Sequence, residues 1–379
     1  MKRLLSATSI VIPLVLLIPL SVGAQNALPS NAQRALQWLQ CTQQQPNGQI
    51  GNGGNPIARS SEVALGLAAA GQPASAIQRG GPTLGEYLTT AVSTDVGTNG
   101  ELLLARASQS DAGPTATVAA QLQAAKSTSG ATKGEYGTDI YSDALAVLGL
   151  RAAGQPVDQD SIDFLKAQQK SDGGWSADNA DQFGTDSNTT ALVIQALVAA
   201  TVPSTDAAIT NGFTYLQSVF SSGGFGDAPG LAPDPNSDEL GIQAIIAAGQ
   251  QGTDPWQSRL SQALTYLSGQ QLASGTDRGA IASSFSKLFA TTLAPAVFLL
   301  RPLTVVGRAQ TVVALLPCPT TAPASASPGA TATAAPPTTT ARLAQTGRPY
   351  PDRQPWPILI GGLCIAAGLS LRRLRRSTS

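Results

Sequence analysis

The sequence predicts an all-α fold: an (α/α)6 toroid of helical-hairpin repeats, followed by a disordered stalk and a C-terminal transmembrane helix. Three observations lead there. Parts of the stretch Phe164-Leu165-Lys166-Ala167-Gln168-Gln169-Lys170-Ser171-Asp172-Gly173-Gly174-Trp175 recur about every fifty residues. Leu165, Leu216 and Leu267 stand 51 apart, each after an aromatic residue, and Trp38-Leu39 and Tyr87-Leu88 carry the same pair earlier. Between these pairs lie Ala/Leu-rich runs such as Ala144-Leu145-Ala146-Val147-Leu148-Gly149-Leu150, apolar all round and therefore buried on every side. The helices bearing the aromatic-Leu pairs are amphipathic, with Asp160, Asp163, Lys166 and Lys170 beside Ile162 and Leu165. Polar outer helices alternating with apolar inner ones fit a closed ring better than an open solenoid, whose end helices each lose a burying neighbour.

Taken in chain order, residues 1–24 read as a signal peptide. Met1-Lys2-Arg3 precedes an apolar run over 4–22, and Val22-Gly23-Ala24 suits cleavage before Gln25. Pro13 and Pro19 interrupt the run and weigh against its alternative, an uncleaved membrane helix. The toroid takes residues 25–302. Leu39, Leu88, Leu122, Leu165, Leu216 and Leu267 mark six outer helices; the weakest repeat needs Leu122 as its anchor and 101–107 as an inner helix, so five or seven units are the alternatives. Inner helices are expected over 62–71, 143–154, 189–200 and 239–249, capped by Ser61, Ser142, Asn188 and Ser237 or Asp238 and stopped by Gly71, Gly154 and Gly249. Residues 303–342 form a linker and a Pro/Thr/Ala-rich stalk that cannot bury a core. The last segment, 343–379, holds Leu343-Ala344-Gln345-Thr346-Gly347, an apolar stretch over 356–371 and Arg372-Arg373-Leu374-Arg375-Arg376.

Composition narrows the function. A chain of 379 residues that is 42% hydrophobic can build a large core, and a formal net charge of zero leaves no electrostatic footprint for nucleic acid. The absence of histidine excludes every mechanism that needs an imidazole. Cys41, Cys318 and Cys364 are too few and scattered for a disulfide framework or a thiolate zinc site. Cys41 and Cys318 can pair in an oxidising exterior if the ring brings its ends together.

The pattern aromatic-Leu, three residues, Gln169, three residues, Gly173-x-Trp175 resembles the glutamine-tryptophan repeat of terpene cyclases and the related prenyltransferase and squalene-oxidase repeats. Trp38-Leu39 with Gln43 and Gly48-x-Ile50 forms a second copy, and Tyr215-Leu216 with Gly223-x-Phe225 a third that lacks the glutamine. The resemblance covers roughly residues 30–300. It implies that Gln169, Gly173 and Trp175 are structural and tie one helical pair to the next. It also implies two chemistries whose groups are missing: the Asp-x-Asp-Asp acid of class II cyclases, and the histidine of the zinc-dependent prenyltransferases. Asp178-Asn179-Ala180-Asp181 reads as a solvated loop or, alternatively, a calcium loop. The order of elements in 343–379 resembles a cell-wall sorting signal, with alanine where proline is commoner. That implies cleavage between Thr346 and Gly347 by a sortase-like transpeptidase, the alternative being a plain membrane anchor.

Ser61-Glu62, Tyr141-Ser142-Asp143, Ser187-Asn188-Thr189 and Asn236-Ser237-Asp238-Glu239 occupy corresponding places in successive repeats, so a toroid gathers them round one end of its central cavity. Glu62, Tyr141, Asp143, Asn188, Asp238 and Glu239 are therefore the candidate rim residues for a polar or cationic ligand; the plainer reading is helix capping. The expectation is an exported protein, anchored to the cell wall or membrane by its C-terminus, acting as a non-catalytic small-molecule-binding or display module with no cofactor or metal. The alternative is an extracytoplasmic terpene cyclase or prenyltransferase-like enzyme using a cavity carboxylate, with Asp143 or Asp238 as general acid.

Overall fold

The computed structural model describes residues 22–178 and 184–319. Residues 1–21, which hold most of the expected signal peptide 1–24, residues 179–183, and residues 320–379, with most of the expected stalk, the expected Thr346-Gly347 cleavage site and the 356–371 stretch, lie outside them. Among the described residues no helix is long and apolar enough to cross a membrane.

Amphipathic and apolar helices alternate along the chain. The outer set is α1 (Val22–Trp38), α3 (Leu84–Thr90), α5 (Ala116–Ala125), α7 (Gln159–Ala167), α9 (Ala207–Ser218) and α11 (Trp256–Gly269). The inner set is α2 (Pro56–Ala69), α4 (Val96–Ser108), α6 (Ile140–Ala152), α8 (Ser187–Ala199), α10 (Pro235–Ala247) and the broken pair α12 (Phe289–Thr292) and α13 (Ala294–Phe298). Each inner helix packs on the next, and α12 and α13 return to α2, which closes a ring of six hairpins among the described residues. Leu39, Leu88, Leu122, Leu165, Leu216 and Leu267 are all buried, one per hairpin. Two short antiparallel ladders lie in the connecting turns: β1 (Trp175–Ser176) with β2 (Thr185–Asp186), and β3 (Phe220–Ser221) with β4 (Gly224–Phe225).

The inner helices approach most closely where side chains are smallest. A Cβ on Gly100 of α4 would stand 2.5 Å from the Leu145 carbonyl oxygen of α6, and one on Gly149 would stand 2.6 Å from the Gly100 carbonyl oxygen. Backbone meets backbone there, so alanine at either position must push the helices apart.

The expected caps require correction. Side chains of Asn55, Asp95, Asp139, Asp186 and Asp234 accept from the first-turn amides of α2, α4, α6, α8 and α10, whereas Ser61, Ser142, Asn188, Ser237 and Asp238 already lie within their helices. The helices begin earlier, where the Asn or Asp side chain reaches the free first-turn amides; the apolar run marks the middle of each inner helix, not its start. Gly71, Gly154 and Gly249 follow α2, α6 and α10 with φ of 68°, 68° and 71°, and Thr201 takes the same left-handed place after α8 with φ 67°.

Residues 303–319, which composition gives to the linker, form a strap along the ring. Ala309 N–H donates to the Ala68 carbonyl at 2.8 Å and Val313 N–H to the Ala70 carbonyl at 2.9 Å, satisfying groups at the C-terminal end of α2. Gln33 and Gln37 of α1 donate to the Ala314 and Pro317 carbonyls at 2.8 and 2.6 Å. The strap ends in a Cys41–Cys318 disulfide that joins residues 277 apart in sequence.

Candidate functional site at the inner-helix starts

The residues that fasten one hairpin to the next define what remains for function. Gln169 Nε2 donates to the Gly173 carbonyl at 2.7 Å and to the Ala208 carbonyl of α9 at 2.8 Å. Trp175 is fully buried and its Nε1–H donates to the Leu165 carbonyl at 2.7 Å, satisfying an end of α7. Gly173 has φ 91°, and a Cβ there would stand 2.5 Å from the Asn211 carbonyl oxygen. Where the ring closes, Gln271 Nε2 donates to Gly279 and to Asn31 of α1 at 3.0 and 2.9 Å. At the first joint Gln43 gives way to Gln44. Gln44 Nε2 donates to the Gly48 and Ile77 carbonyls at 3.4 and 3.2 Å, while Gln43 donates only to its neighbour Thr42. The cause is local: Leu39–Gln43 is a π-helical turn, which inserts one residue and moves the glutamine along by one.

A second set of contacts repeats at the inner-helix starts. In five hairpins one side chain accepts from the backbone N–H of the apolar or aromatic residue in the preceding turn. Ser60 Oγ accepts from Ile50 at 2.9 Å, Thr190 Oγ1 from Trp175 at 3.0 Å, and Thr291 Oγ1 from Ile281 at 2.9 Å. Asp238 Oδ1 accepts from Phe225 at 3.1 Å, and Asp143 Oδ1 from both Tyr136 and Gly137 at 2.7 Å. Sequence reasoning missed the neutral members because the gap from turn to clamp varies between 7 and 15 residues. A steadier signal was present: the clamp stands four after the capping aspartate in Asp139-x3-Asp143, Asp186-x3-Thr190 and Asp234-x3-Asp238.

The six rim candidates thus divide. Asp143 and Asp238 are turn clamps, 1% and 0% exposed. Burial pushes the Asp143 carboxyl up to about 7 against its two amide donors, and holds Asp238 well above the ordinary carboxylate range. Glu62 is not their counterpart, a place held by Ser60; it pairs with Arg59 at 2.6 Å and accepts from Thr292 of α12. Glu239 is 1% exposed, and burial, followed by the charge of Glu62, keeps its carboxyl well above the usual range. Asn188 is half-buried and donates to Asp227 in the turn before α10 at 3.2 Å, and Tyr141 packs half-buried against the core. Asp178 accepts from Ser176 at 2.8 Å; the rest of its acidic loop lies outside the described residues. Among the described residues no group of three or more Cys, Asp or Glu is placed to hold a metal ion.

No protein-family model matches the sequence, and no curated protein matches it. Solved structures do. A type II terpene cyclase from Scytonema, in a variant form bound to geranylgeranyl dihydroxybenzoate, is 13% identical with a TM-score of 0.52, covering 75% of this chain and 100% of its own. The apo form of the cyclase is also 13% identical with a TM-score of 0.52, covering 72% and 98%. A protein from Actinoplanes is 17% identical with a TM-score of 0.49, covering 72% and 99%. At such identities the likeness is one of architecture, and the chain has the α/α fold of type II terpene cyclases.

Proposed function

We propose that the protein is an exported toroid, held at the cell envelope by its C-terminal segment, that binds a small molecule without transforming it. The observation that carries this reading is the equivalence of the clamps. Ser60, Thr190 and Thr291 do with neutral oxygens what Asp143 and Asp238 do with carboxyls, so the two acids are accounted for as acceptors in a structural bond. The missing Asp-x-Asp-Asp motif supports the same reading, and the Cys41–Cys318 disulfide supports a location in an oxidising exterior. Native mass spectrometry of the protein purified from its own host is the direct test. A retained small molecule is expected, and repeated recovery of the bare chain overturns binding. The mature C-terminus tests the anchor: a mass ending at Thr346 is expected of sorting, and an intact 372–379 tail in the envelope means a membrane anchor instead.

The clamps also give a pH test. An acid whose pKa is higher folded than unfolded, about 7 here for Asp143, stabilises the fold in its protonated form. That contribution is complete below about pH 4 and is lost as pH rises through about 7. Asp143→Asn keeps a neutral acceptor and should remove this slope. Relative to wild type it should gain on the order of 2 kcal/mol between pH 5 and pH 8 in urea unfolding. A variant that tracks wild type at both pH values would show that the acid is not held neutral.

One observation favours the enzymatic alternative, the deeply buried carboxyl of Glu239 in a cyclase-like fold. Turnover of a prenylated aromatic acid such as geranylgeranyl dihydroxybenzoate by wild type, abolished in Glu239→Gln, would establish it in place of the binding module.

A further inference from the structure

The first joint of the ring carries a groove that none of the six rim candidates lines. Two turns meet there backbone to backbone, one before α2 closed by the Gln44–Ile50 bridge and one before α3 closed by the Gln78–Thr83 bridge. A Cβ on Gly81 would stand 1.9 Å from the Pro46 carbonyl oxygen, and one on Gly48, whose φ is 89°, would stand 2.8 Å from the Thr83 carbonyl oxygen. Glycine at both places lets the turns close on each other. Beside this seam the turns and α3 border an open groove of about 540 Å³, whose side-chain walls are Asn47, Gln78, Glu86, Tyr87 and Thr90. Volumes of roughly 300–1,000 Å³ are those in which small ligands are held.

The walls are fixed by local bonds and still reachable from solvent. Glu86 belongs to a capping box at the start of α3: its Oε2 accepts from the Thr83 N–H at 2.7 Å, and Thr83 Oγ1 accepts from the Glu86 N–H at 3.1 Å. Its other oxygen, Oε1, has no partner among the described residues, and the side chain is exposed. Gln78 is exposed as well, and its Nε2 donates to the Gly81 carbonyl at 2.9 Å, which leaves Oε1 open. Tyr87 packs half-buried against the core, which holds its ring at the groove. A positioned carboxylate oxygen, a positioned amide oxygen and an aromatic ring therefore share one accessible space.

Charge selects the class of ligand. Glu86 is the one charged residue lining the groove, and Arg79, next to Gln78 in sequence, does not line it. An anion finds no counter-charge here and is repelled by Glu86. A cation finds the carboxylate, the amide oxygen and the negative face of an aromatic ring. A neutral sugar uses the same oxygens but leaves the carboxylate charge unmatched, so charge complementarity favours the cation. We propose that this groove binds an organic cation, an alkylammonium or guanidinium group, with Glu86 as counter-ion and Tyr87 as aromatic platform. The group comes from a free polyamine or from a lysine or arginine side chain of a peptide. The proposal does not depend on the binding-module reading, with whose rim candidates it shares no residue.

The test is NMR titration of the full chain, tyrosines labelled, with spermidine, with trilysine and with maltotriose as the neutral probe. At least one cation should bind with a millimolar or tighter Kd and shift the Tyr87 ring signals. Raising salt from about 20 to about 500 mM should weaken that binding about fivefold. Glu86→Gln removes the charge and keeps the capping box, which glutamine also completes, and it should weaken binding about fivefold or more. Tyr87→Leu should weaken it about threefold, and Tyr87→Phe, which keeps the ring, less than about twofold. Tighter binding of spermidine than of trilysine assigns the groove to free amines and the reverse order to peptide side chains; both orders support the proposal. If neither cation binds, the proposal falls. It also falls if Glu86→Gln binds the cations like wild type, since the cation then sits elsewhere, or if maltotriose binds and the cations do not, which makes the groove a sugar site. None of these results bears on whether a host molecule is retained, so this proposal and the binding module fail separately.

Discussion

The joint between α7 and α9 and the joint between α11 and α1 use the same fastener in different surroundings. In both, a glutamine bridges a turn glycine and the next outer helix: Gln169 to Gly173 and Ala208, and Gln271 to Gly279 and Asn31. The interior joint adds the Lys166–Asp206 pair at 2.6 Å and the Tyr215 hydroxyl of α9 donating to the Thr185 carbonyl at 2.7 Å. The closing joint adds Arg34 Nη2 to Gln271 Oε1 at 2.8 Å and Asn31 Nδ2 to Ser268 Oγ at 3.0 Å, and the strap with its disulfide lies beside it. The difference follows chain separation. Gln169 and Ala208 are 39 residues apart and meet with a small loss of chain entropy, whereas Asn31 and Gln271 are 240 apart. A ring assembled from similar hairpins is weakest where its first and last members meet, and there this chain adds a covalent bond.

The largest expected effect comes from breaking that reinforcement. Replacing Cys41 and Cys318 together by alanine removes a closure spanning 277 residues, worth about 5 kcal/mol in a loop-entropy account, and urea unfolding with and without reductant should show the loss in wild type alone. A double variant as stable as the oxidised protein would mean that the noncovalent strap closes the ring unaided.

Next, Trp175→Ala should cost about 3–5 kcal/mol, since it empties a fully buried indole site and strands the Leu165 carbonyl. Gly173→Ala should cost a further-distinguishable ~2–3 kcal/mol through its left-handed φ and the nearby Asn211 carbonyl. If Gly223→Ala, whose Cβ would meet only Gln262 at 3.9 Å, costs as much, the close approach is not the cause.

The smallest effect is the most discriminating. Gln44→Ala should lose about 1–2 kcal/mol and Gln43→Ala almost nothing, because only Gln44 spans the first joint. Equal losses, measured by the same chemical unfolding, would overturn the one-residue shift at the π turn.

Much of the ring was legible beforehand because its signals are local. The aromatic-Leu pairs report outer helices, and apolar runs report helices buried on all sides. Glutamine and glycine at fixed spacing report a joint. The places where reading failed each depend on something not local. The π turn at Leu39–Gln43 conserves composition while changing register, so Gln43 and Gln44 look alike until geometry separates them. The strap has the composition of a linker, yet its main-chain groups find partners on α1, as far as 281 residues away, and at the end of α2.

By itself, then, the sequence determined the hairpin repeat, the six buried leucines and the identity of the groups that fasten one repeat to the next, since helix periodicity and capping chemistry act over a few residues. Only the tertiary structure decided which neighbours those groups meet. It made Asp143 and Asp238 equivalent to Ser60, Thr190 and Thr291, put Ser60 rather than Glu62 in the corresponding place of the first hairpin, and brought Gln195 to the Leu303 N–H and Gln243 to the Arg301 carbonyl. The reason is that the worth of a polar group is fixed by burial and by the partner facing it, and in a closed ring that partner comes from another turn of the chain.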